Sequence, residues 1–279
     1  MNYLRHFGLR EAPFGLTPDT SYFFACRAIQ EAFNTLHIAV GNGEGFIKIT
    51  GEVGTGKTLL CRKFLGTLDG TWISAYVPNP SFEPRTLYLA LADELGIALS
   101  PALDQHQLVK SITRALLDLA RQRKRVLLCI DESQAMSPET LEALRLLTNL
   151  ETEKRKLMQV VLFGQPELDP KLASDSLRQL RQRISFHYTL RALDRDEVAD
   201  YVAHRLTIAG YSGPALFSGG ALSAVHRASR GVPRLVNILA HKSLLTVYGE
   251  GASHVSRTHV QAAAEDTPSA SWHWWWRTA

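Results

Sequence analysis

The sequence contains GEVGTGKT at residues 51–58, which fits the pattern G-x-x-x-x-G-K-[ST] at every fixed position. Glycines so spaced let the backbone N–H groups of Gly51, Glu52, Val53, Gly54, Thr55 and Gly56 turn inward around phosphate oxygens. A helix running on from Lys57, Thr58 and Leu59 aims its positive dipole end at the same point. In such a loop Lys57 reaches the β- and γ-phosphates and Thr58 gives its hydroxyl to Mg2+. A second set of groups stands in VLLCIDES, residues 126–133. There Asp131 can hold Mg2+, directly or through water, while Glu132 polarises a water in line with the γ-phosphate, which separates metal work from base work. Helix capping by either acid is the bland alternative, and Ser137 is the better cap. Gln165 follows the apolar run MQVVLFG, where a polar side chain could contact the γ-phosphate or its water. Arg178, Arg181 and Arg183 precede ISFHYTL and are either solvated charges or an arginine finger reaching a neighbouring subunit's nucleotide.

These groups need strands and helices to hold them. FIKIT, residues 46–50, reads as a short buried strand and residues 59–68 as an apolar helix, the strand-loop-helix order that a phosphate loop requires. TWISAYV, residues 71–77, is a second strand, ended by Pro78-Asn79-Pro80. Helical patterns follow at 84–95 and 105–123. The uninterrupted apolar run before Asp131 describes a buried parallel strand, and open α/β sheets bind ligands at the carboxyl ends of such strands. A helix at 138–151 and strands at 158–164 and 184–190 complete this part. From residue 193 only helical patterns remain, at 194–209, 218–229, 233–248 and 256–265. Arg234 follows Gly231-Val232-Pro233 in the first turn of one of them and could face the nucleotide. At the other end, residues 3–24 carry Phe7, Phe14, Tyr22, Phe23 and Phe24 between Pro13 and Pro18. That composition predicts an extended segment that either covers the adenine side of the nucleotide or packs on the core, before a helix at 27–40.

Length and composition bound the class. A chain of 279 residues, 45% hydrophobic and 21% charged, suits an α/β domain with a smaller partner domain. The net charge of +4 is too weak to establish an acidic partner, and nucleic acid stays open. Cys26, Cys61 and Cys129 form no C-x-x-C pair, so reduced, packed thiols are expected rather than zinc or disulfides. Neither a signal peptide nor a run of about 18 apolar residues is present, which favours a cytoplasmic protein, at most peripheral on the inner membrane. The tail, WHWWWR at residues 272–277, either packs on the domain, is disordered, or anchors at a membrane–water interface.

The phosphate loop, the acid pair and the helical second domain together resemble the AAA+ ATPases. A closer resemblance runs through YLRHFGLREAPFGLTPD, GEVGTGKT, VLLCIDES, LEALRLLTNLET, GQPEL, LRQLRQRI and SRGVPRLVN. The ordered set looks like the general-secretion-pathway protein A (ExeA/GspA-type) ATPases, most of all the short MshM-like members associated with the MSHA type IV pilus. It implies an α/β P-loop NTPase core, a parallel five-stranded sheet with helices on both faces, followed by a small all-α lid. The expected divisions are an aromatic segment and first helix at 1–45 packing on the core, the nucleotide-binding domain at 46–192, the lid at 193–265 and the tail at 266–279. The resemblance implies ATP and Mg2+ as cofactors, with Lys57 and Thr58 in Walker A and Asp131 and Glu132 in Walker B. It puts Gln165 at sensor 1, Arg234 at sensor 2, Asn79 where a residue often orients the catalytic glutamate, and Arg183, with Arg181 and Arg178 behind it, at the finger. It further implies a homo-oligomer that hydrolyses ATP to assemble or remodel a pilus or secretion apparatus, with partners at the inner membrane. Longer relatives add a membrane span and a peptidoglycan-binding region, which this chain is not expected to carry. The competing reading is a DNA-associated ATPase of the transposition-helper kind, motivated by the basic run Arg121, Arg123, Lys124 and Arg125.

Overall fold

The computed structural model describes residues 2–100, 103–149, 151–152 and 155–270, so the tryptophans of the tail and Arg277 lie outside the described residues. The chain divides into two compact units, Ala28–Gly51 with Leu60–Leu190, and Met1–Arg27 with Glu52–Leu59 and Arg191–Ala279. In chain order the first elements are α1 (Asn2–His6), α2 (Arg27–Gly41), β1 (Phe46–Gly51), α3 (Lys57–Leu65), β2 (Trp72–Val77), α4 (Pro84–Glu94) and α5 (Gln105–Arg121). Next come β3 (Arg125–Ile130), α6 (Pro138–Leu147), β4 (Glu151–Thr152), β5 (Arg155–Lys156), β6 (Met158–Gly164), α7 (Leu168–Leu172), α8 (Arg178–Arg183) and β7 (Ile184–Leu190). The last four are helices: α9 (Arg195–Ile208), α10 (Gly219–Ser229), α11 (Pro233–Gly249) and α12 (Arg257–Glu265).

Within the sheet unit, five strands pair in the order β2-β3-β6-β1-β7, every pair parallel. All five carboxyl ends therefore fall on one edge. The central strands are buried on both pleats, which is why β3 and β6 read as continuous apolar runs without alternation. One pleat, with Phe46, Leu128, Ile130, Val160 and Leu162, packs with residues of α4, α5, α6 and α8. The other pleat holds Ile47, Ile49, Leu127, Cys129, Val161 and Phe163, all fully buried. The hydrogen-bonded thiols of Cys61 and Cys129 place α3 against that face, and α2 joins α3 through Phe33 and Phe64, rings edge-on at 5.9 Å. Local signals start the helices. The Asp104 and Gln107 side chains box the first turn of α5, and Ser137 Oγ accepts from Thr140 N–H ahead of Pro138 at the first position of α6.

Two helices are shorter than their apolar periodicity predicts. The helix expected at 138–151 ends at Leu147, because the chain turns there into the β4–β5 hairpin. The helix expected at 59–68 ends at Leu65, before Gly66.

In the second unit, residues 2–27 are not extended throughout, since α1 opens them. Their aromatic rings pack inside this unit: Phe14 meets Phe217 edge-on at 6.0 Å and Phe24 meets Tyr201 at 5.6 Å. Arg205 is buried at 6% exposure, lies 4.4 Å over the Tyr22 ring and donates to the Pro13 carbonyl and, at 3.0 Å, to the Tyr201 hydroxyl. A guanidinium so placed turns a proline-broken segment into a fixed strap, because each donor answers a carbonyl or ring that would otherwise lose water for nothing. Residues 267–270, at the start of the expected tail, are held to the helices: Thr267 Oγ1 donates to Ala263 O at 2.7 Å and Ala270 joins the buried cluster of Ala228, Leu239, Ala263 and Ala264.

Candidate functional site

In the unit that carries Glu52–Leu59, the loop is shaped by positive-φ glycines, Gly54 at 82° and Gly56 at 99°. Successive turns of this kind direct N–H groups to one side and make an anion-binding concavity. The two glycines have different reasons to be glycine. A Cβ on Gly54 would stand 2.5 Å from Arg234 Cβ, whereas one on Gly56 would meet nothing within 4 Å. Gly54 is thus a close approach to the start of α11, and Gly56 leaves the room a phosphate oxygen needs. The Gly54 carbonyl accepts from Arg234 N–H at 3.2 Å, which ties the loop to that helix start. Gly231 sets the start itself: its φ is 74°, its carbonyl accepts from Leu193 N–H at 2.9 Å, and its own N–H donates to Ser229 Oγ at 3.1 Å. Lys57 is 5% exposed with its ammonium donating to the Glu52 carbonyl at 3.0 Å, and Thr55 Oγ1 donates to the same carbonyl at 2.8 Å. Thr58 opens α3 one residue on, half-buried, and the Arg234 side chain is exposed. The donor set fits a triphosphate: inward N–H groups, one ammonium, one hydroxyl.

In the sheet unit, the carboxyl edge carries the other candidates. Asp131 is 2% exposed, immediately past β3, and accepts from Glu132 N–H at 3.0 Å. Tyr76 on β2 donates its hydroxyl to Asp131 Oδ2 at 3.4 Å, and burial together with this carboxylate pushes the phenol up to about 12. Glu132 has left-handed backbone, φ 51° and ψ 35°, uncommon for a non-glycine residue and held only where surroundings over-determine it. Its Oε2 accepts from two amides, Gln134 Nε2 at 2.5 Å and Gln165 Nε2 at 2.9 Å. The tip of β6 is thereby brought to the tip of β3. Among the described residues no group of three or more His, Cys, Asp or Glu could hold a metal alone.

Two of these residues escaped the sequence reading. Gln134 stands three residues past Asp131, just beyond VLLCIDES; the signal that could have found it is an amide two places after Glu132. Tyr76 looked like an ordinary strand aromatic. Asn79, expected to orient the glutamate, lies exposed two residues beyond β2, while the amides that do reach Glu132 are those of Gln134 and Gln165. Arg178, Arg181 and Arg183 share α8; the first two are exposed, Arg183 is half-buried, and Arg181 donates to the Ala173 carbonyl at 3.3 Å. The basic run past α5 is largely engaged within its own unit. Lys124 donates to the Gly70 carbonyl at 2.5 Å, Arg125 to the Val40 carbonyl at 2.7 Å with its guanidinium 4.1 Å over Trp72, and Arg121 pairs with Asp118 at 2.8 Å. Cys26, Cys61 and Cys129 are buried thiols outside any disulfide, packed as expected. The Cys129 thiol and burial hold Cys61 well above the usual thiol range.

Comparison with known proteins places this geometry. Residues 40–172 match the family described as an AAA domain. The chain shares 18% identity and a TM-score of 0.71 with Cdc6p of Pyrobaculum aerophilum, over 91% of this chain and 70% of that one. It shares 16% identity and a TM-score of 0.68 with the ORC2 protein of Aeropyrum pernix, over 92% and 71%. The fold is the P-loop AAA+ fold. In sequence the chain is 39% identical over 262 residues to the general secretion pathway protein A of Aeromonas hydrophila, covering 94% of this chain and 48% of that protein. The chain thus spans about half the length of this curated relative. No helix among the described residues is long and apolar enough to cross a membrane.

Proposed function

We propose that this AAA+ chain binds ATP with Mg2+ and hydrolyses it as a homo-oligomer, to assemble or remodel a type IV pilus or secretion apparatus at the inner membrane. The observation that carries hydrolysis is the Glu132 carboxylate, held by two amides beside a buried Asp131 at the edge from which β1 runs into the phosphate loop. In this reading Lys57 and the loop N–H groups, Gly51 to Gly56, hold the phosphates, with Leu59 continuing the helix whose dipole faces them. Thr58 and Asp131 hold Mg2+, which when bound neutralises charge on the β- and γ-oxygens. Glu132 orients and polarises the attacking water, Gln165 contacts the γ-phosphate or that water, and Arg234 reaches the phosphates from the first turn of α11. Arg183, with Arg181 and Arg178 on the same helix, serves a neighbouring subunit as the finger, and Asn79 remains a candidate to orient Glu132 once nucleotide is bound.

The pilus or secretion role is supported by the identity to the Aeromonas hydrophila protein, and the MshM-like, MSHA-directed reading rests on the resemblance of the motif set alone. The DNA-associated reading loses much of its motive, since Lys124 and Arg125 are spent on carbonyls and a tryptophan ring. Salt-dependent binding of duplex DNA by the ATP-bound chain would restore it. The test of hydrolysis is a pair of variants. Lys57→Ala should abolish tight ATP binding, measured by calorimetry, while Glu132→Gln should keep binding and lose phosphate release, because one group acts on ground-state phosphates and the other on the water. Full turnover by the Glu132→Gln protein sinks the assignment. In a host with both systems, expression of that variant should block pilus display or protein secretion; normal levels of both would refute the cellular role.

A further inference from the structure

The Glu132 carboxylate is held by a closed ring of hydrogen bonds. Gln134 Oε1 accepts from the backbone N–H of Gln165 at 2.9 Å. A backbone N–H can only donate, so the atom facing it must be the amide oxygen, and the amide nitrogen is then the atom facing Glu132 Oε2 at 2.5 Å. Gln165 closes the ring with its own amide nitrogen on the same Oε2 at 2.9 Å. The residues around Gln134 are pinned as well. Lys171 donates to the Gln134 carbonyl and, at 2.6 Å, to that of Met136, while Ser133 Oγ donates to the Phe163 carbonyl at 2.8 Å. The fit is close, because a Cβ on Gly164 would stand 2.8 Å from Ser133 Oγ and 3.4 Å from Gln134 Oε1.

We propose that Gln134 is a positioning residue: its amide aims the Glu132 carboxylate and couples that aim to Gln165 at the tip of β6. The proposal rests on the reading of Glu132 as the group that activates water. Its consequence is mechanical. Any displacement of the Gln165 peptide, the residue placed to contact the γ-phosphate, pulls on Gln134 and so turns the carboxylate. The glutamine is specific to this task. Asparagine is one methylene too short to span both partners, glutamate would set a second carboxylate against the first, and methionine fills the space without bonding to either.

The test compares the full chain with Gln134→Met, Glu132→Gln and the double variant, measuring ATPase kcat and KM, nucleotide-analogue Kd and melting temperature. Gln134→Met should lower kcat about 10–100-fold, as loss of an orienting partner does, with KM and Kd within about twofold. In the Glu132→Gln background the same change should alter the residual single-turnover rate by less than about twofold, since the group it aims is gone. A purely structural role would instead lower melting temperature and analogue affinity and add its full effect in the double variant, and that pattern overturns the proposal. So does a Gln134→Met kcat within twofold of the parent while Glu132→Gln is inactive, which leaves the hydrolysis reading standing. Wild-type turnover by Glu132→Gln overturns both. Should the methionine protein fail to fold, Gln134→Asn carries the same comparison, and full activity there refutes the role.

Discussion

Gly231 and Gly56 both have positive φ, yet replacing each by alanine should fail in different ways. At Gly231 the added methyl would stand 1.9 Å from the Leu193 carbonyl oxygen and 2.9 Å from its carbon, both backbone atoms. No side chain can rotate away, so the 193–231 contact must open. Opening it forfeits the Leu193 N–H to Gly231 O bond of 2.9 Å and disturbs the Gly231 N–H to Ser229 Oγ bond, each worth about 0.5–1.5 kcal/mol. The left-handed backbone, φ 74°, adds about 1 kcal/mol of strain for a residue with a Cβ. Together these make about 2–4 kcal/mol, or a fall in melting temperature of roughly 5–15 °C at this size. Gly56→Ala meets nothing within 4 Å and carries the φ cost alone, so its melting temperature should fall by only a few degrees. Its methyl enters the open space that the proposed function gives to a phosphate, and ATP affinity should drop at least about tenfold. Differential scanning fluorimetry with and without ATP reads both effects: Gly231→Ala melts low but keeps some nucleotide shift, and Gly56→Ala melts near the parent with little shift. A Gly231→Ala protein that melts within 1 °C of the parent would refute the steric argument.

Other expectations follow from single contacts. Arg183→Ala should bind nucleotide and lose about 10³-fold or more in turnover, and mixing it with Lys57→Ala protein should restore part of it, as a finger acting between subunits requires; no rescue at any ratio moves the role to Arg181 or Arg178. Arg205→Met should cost about 2–4 kcal/mol, because it strips donors from the Pro13 carbonyl and the Tyr201 hydroxyl, and limited proteolysis should then cut within residues 8–26 first; an unchanged digest contradicts the strap. In a Cys26→Ser background, Cys61 and Cys129 should resist a thiol reagent at pH 8 until denaturant is added, since the neighbouring thiol and burial keep Cys61 protonated; rapid native labelling would show the interior to be open.

What the sequence disclosed and what it hid divide along a physical line. The buried strands announced themselves because burial on both pleats forces unbroken apolar runs, as in VLLCI and the VVLF of β6, and the parallel sheet followed from that. The phosphate loop was legible because Gly54 and Gly56 satisfy backbone demands that few other residues meet. Helix ends are less legible: α6 stops at Leu147 and α3 at Leu65, short of the 151 and 68 to which the apolar pattern points.

The partners of Glu132 were hidden for a different reason. Which amide reaches a carboxylate depends on the separation of two strand tips, and that distance is fixed by sheet order, β3 next to β6, rather than by residue spacing. Gln134 and Gln165 are 31 residues apart in the chain and meet at 2.9 Å. Asn79, assigned from family position, sits past β2, which pairs with β3 on its other side. Either flank of β3 could therefore have supplied the orienting amide, and sequence has no means of choosing between them. The left-handed turn at Glu132 brings the following residues to the β6 side: with φ at 51° the chain reverses into Ser133–Ala135, and Ser133 and Gln134 bond to β6 and to Gln165. A residue that tolerates this backbone at the price of strain is held there by those bonds, so loosening Gln134 should relax Glu132 toward ordinary backbone as well as release its side chain.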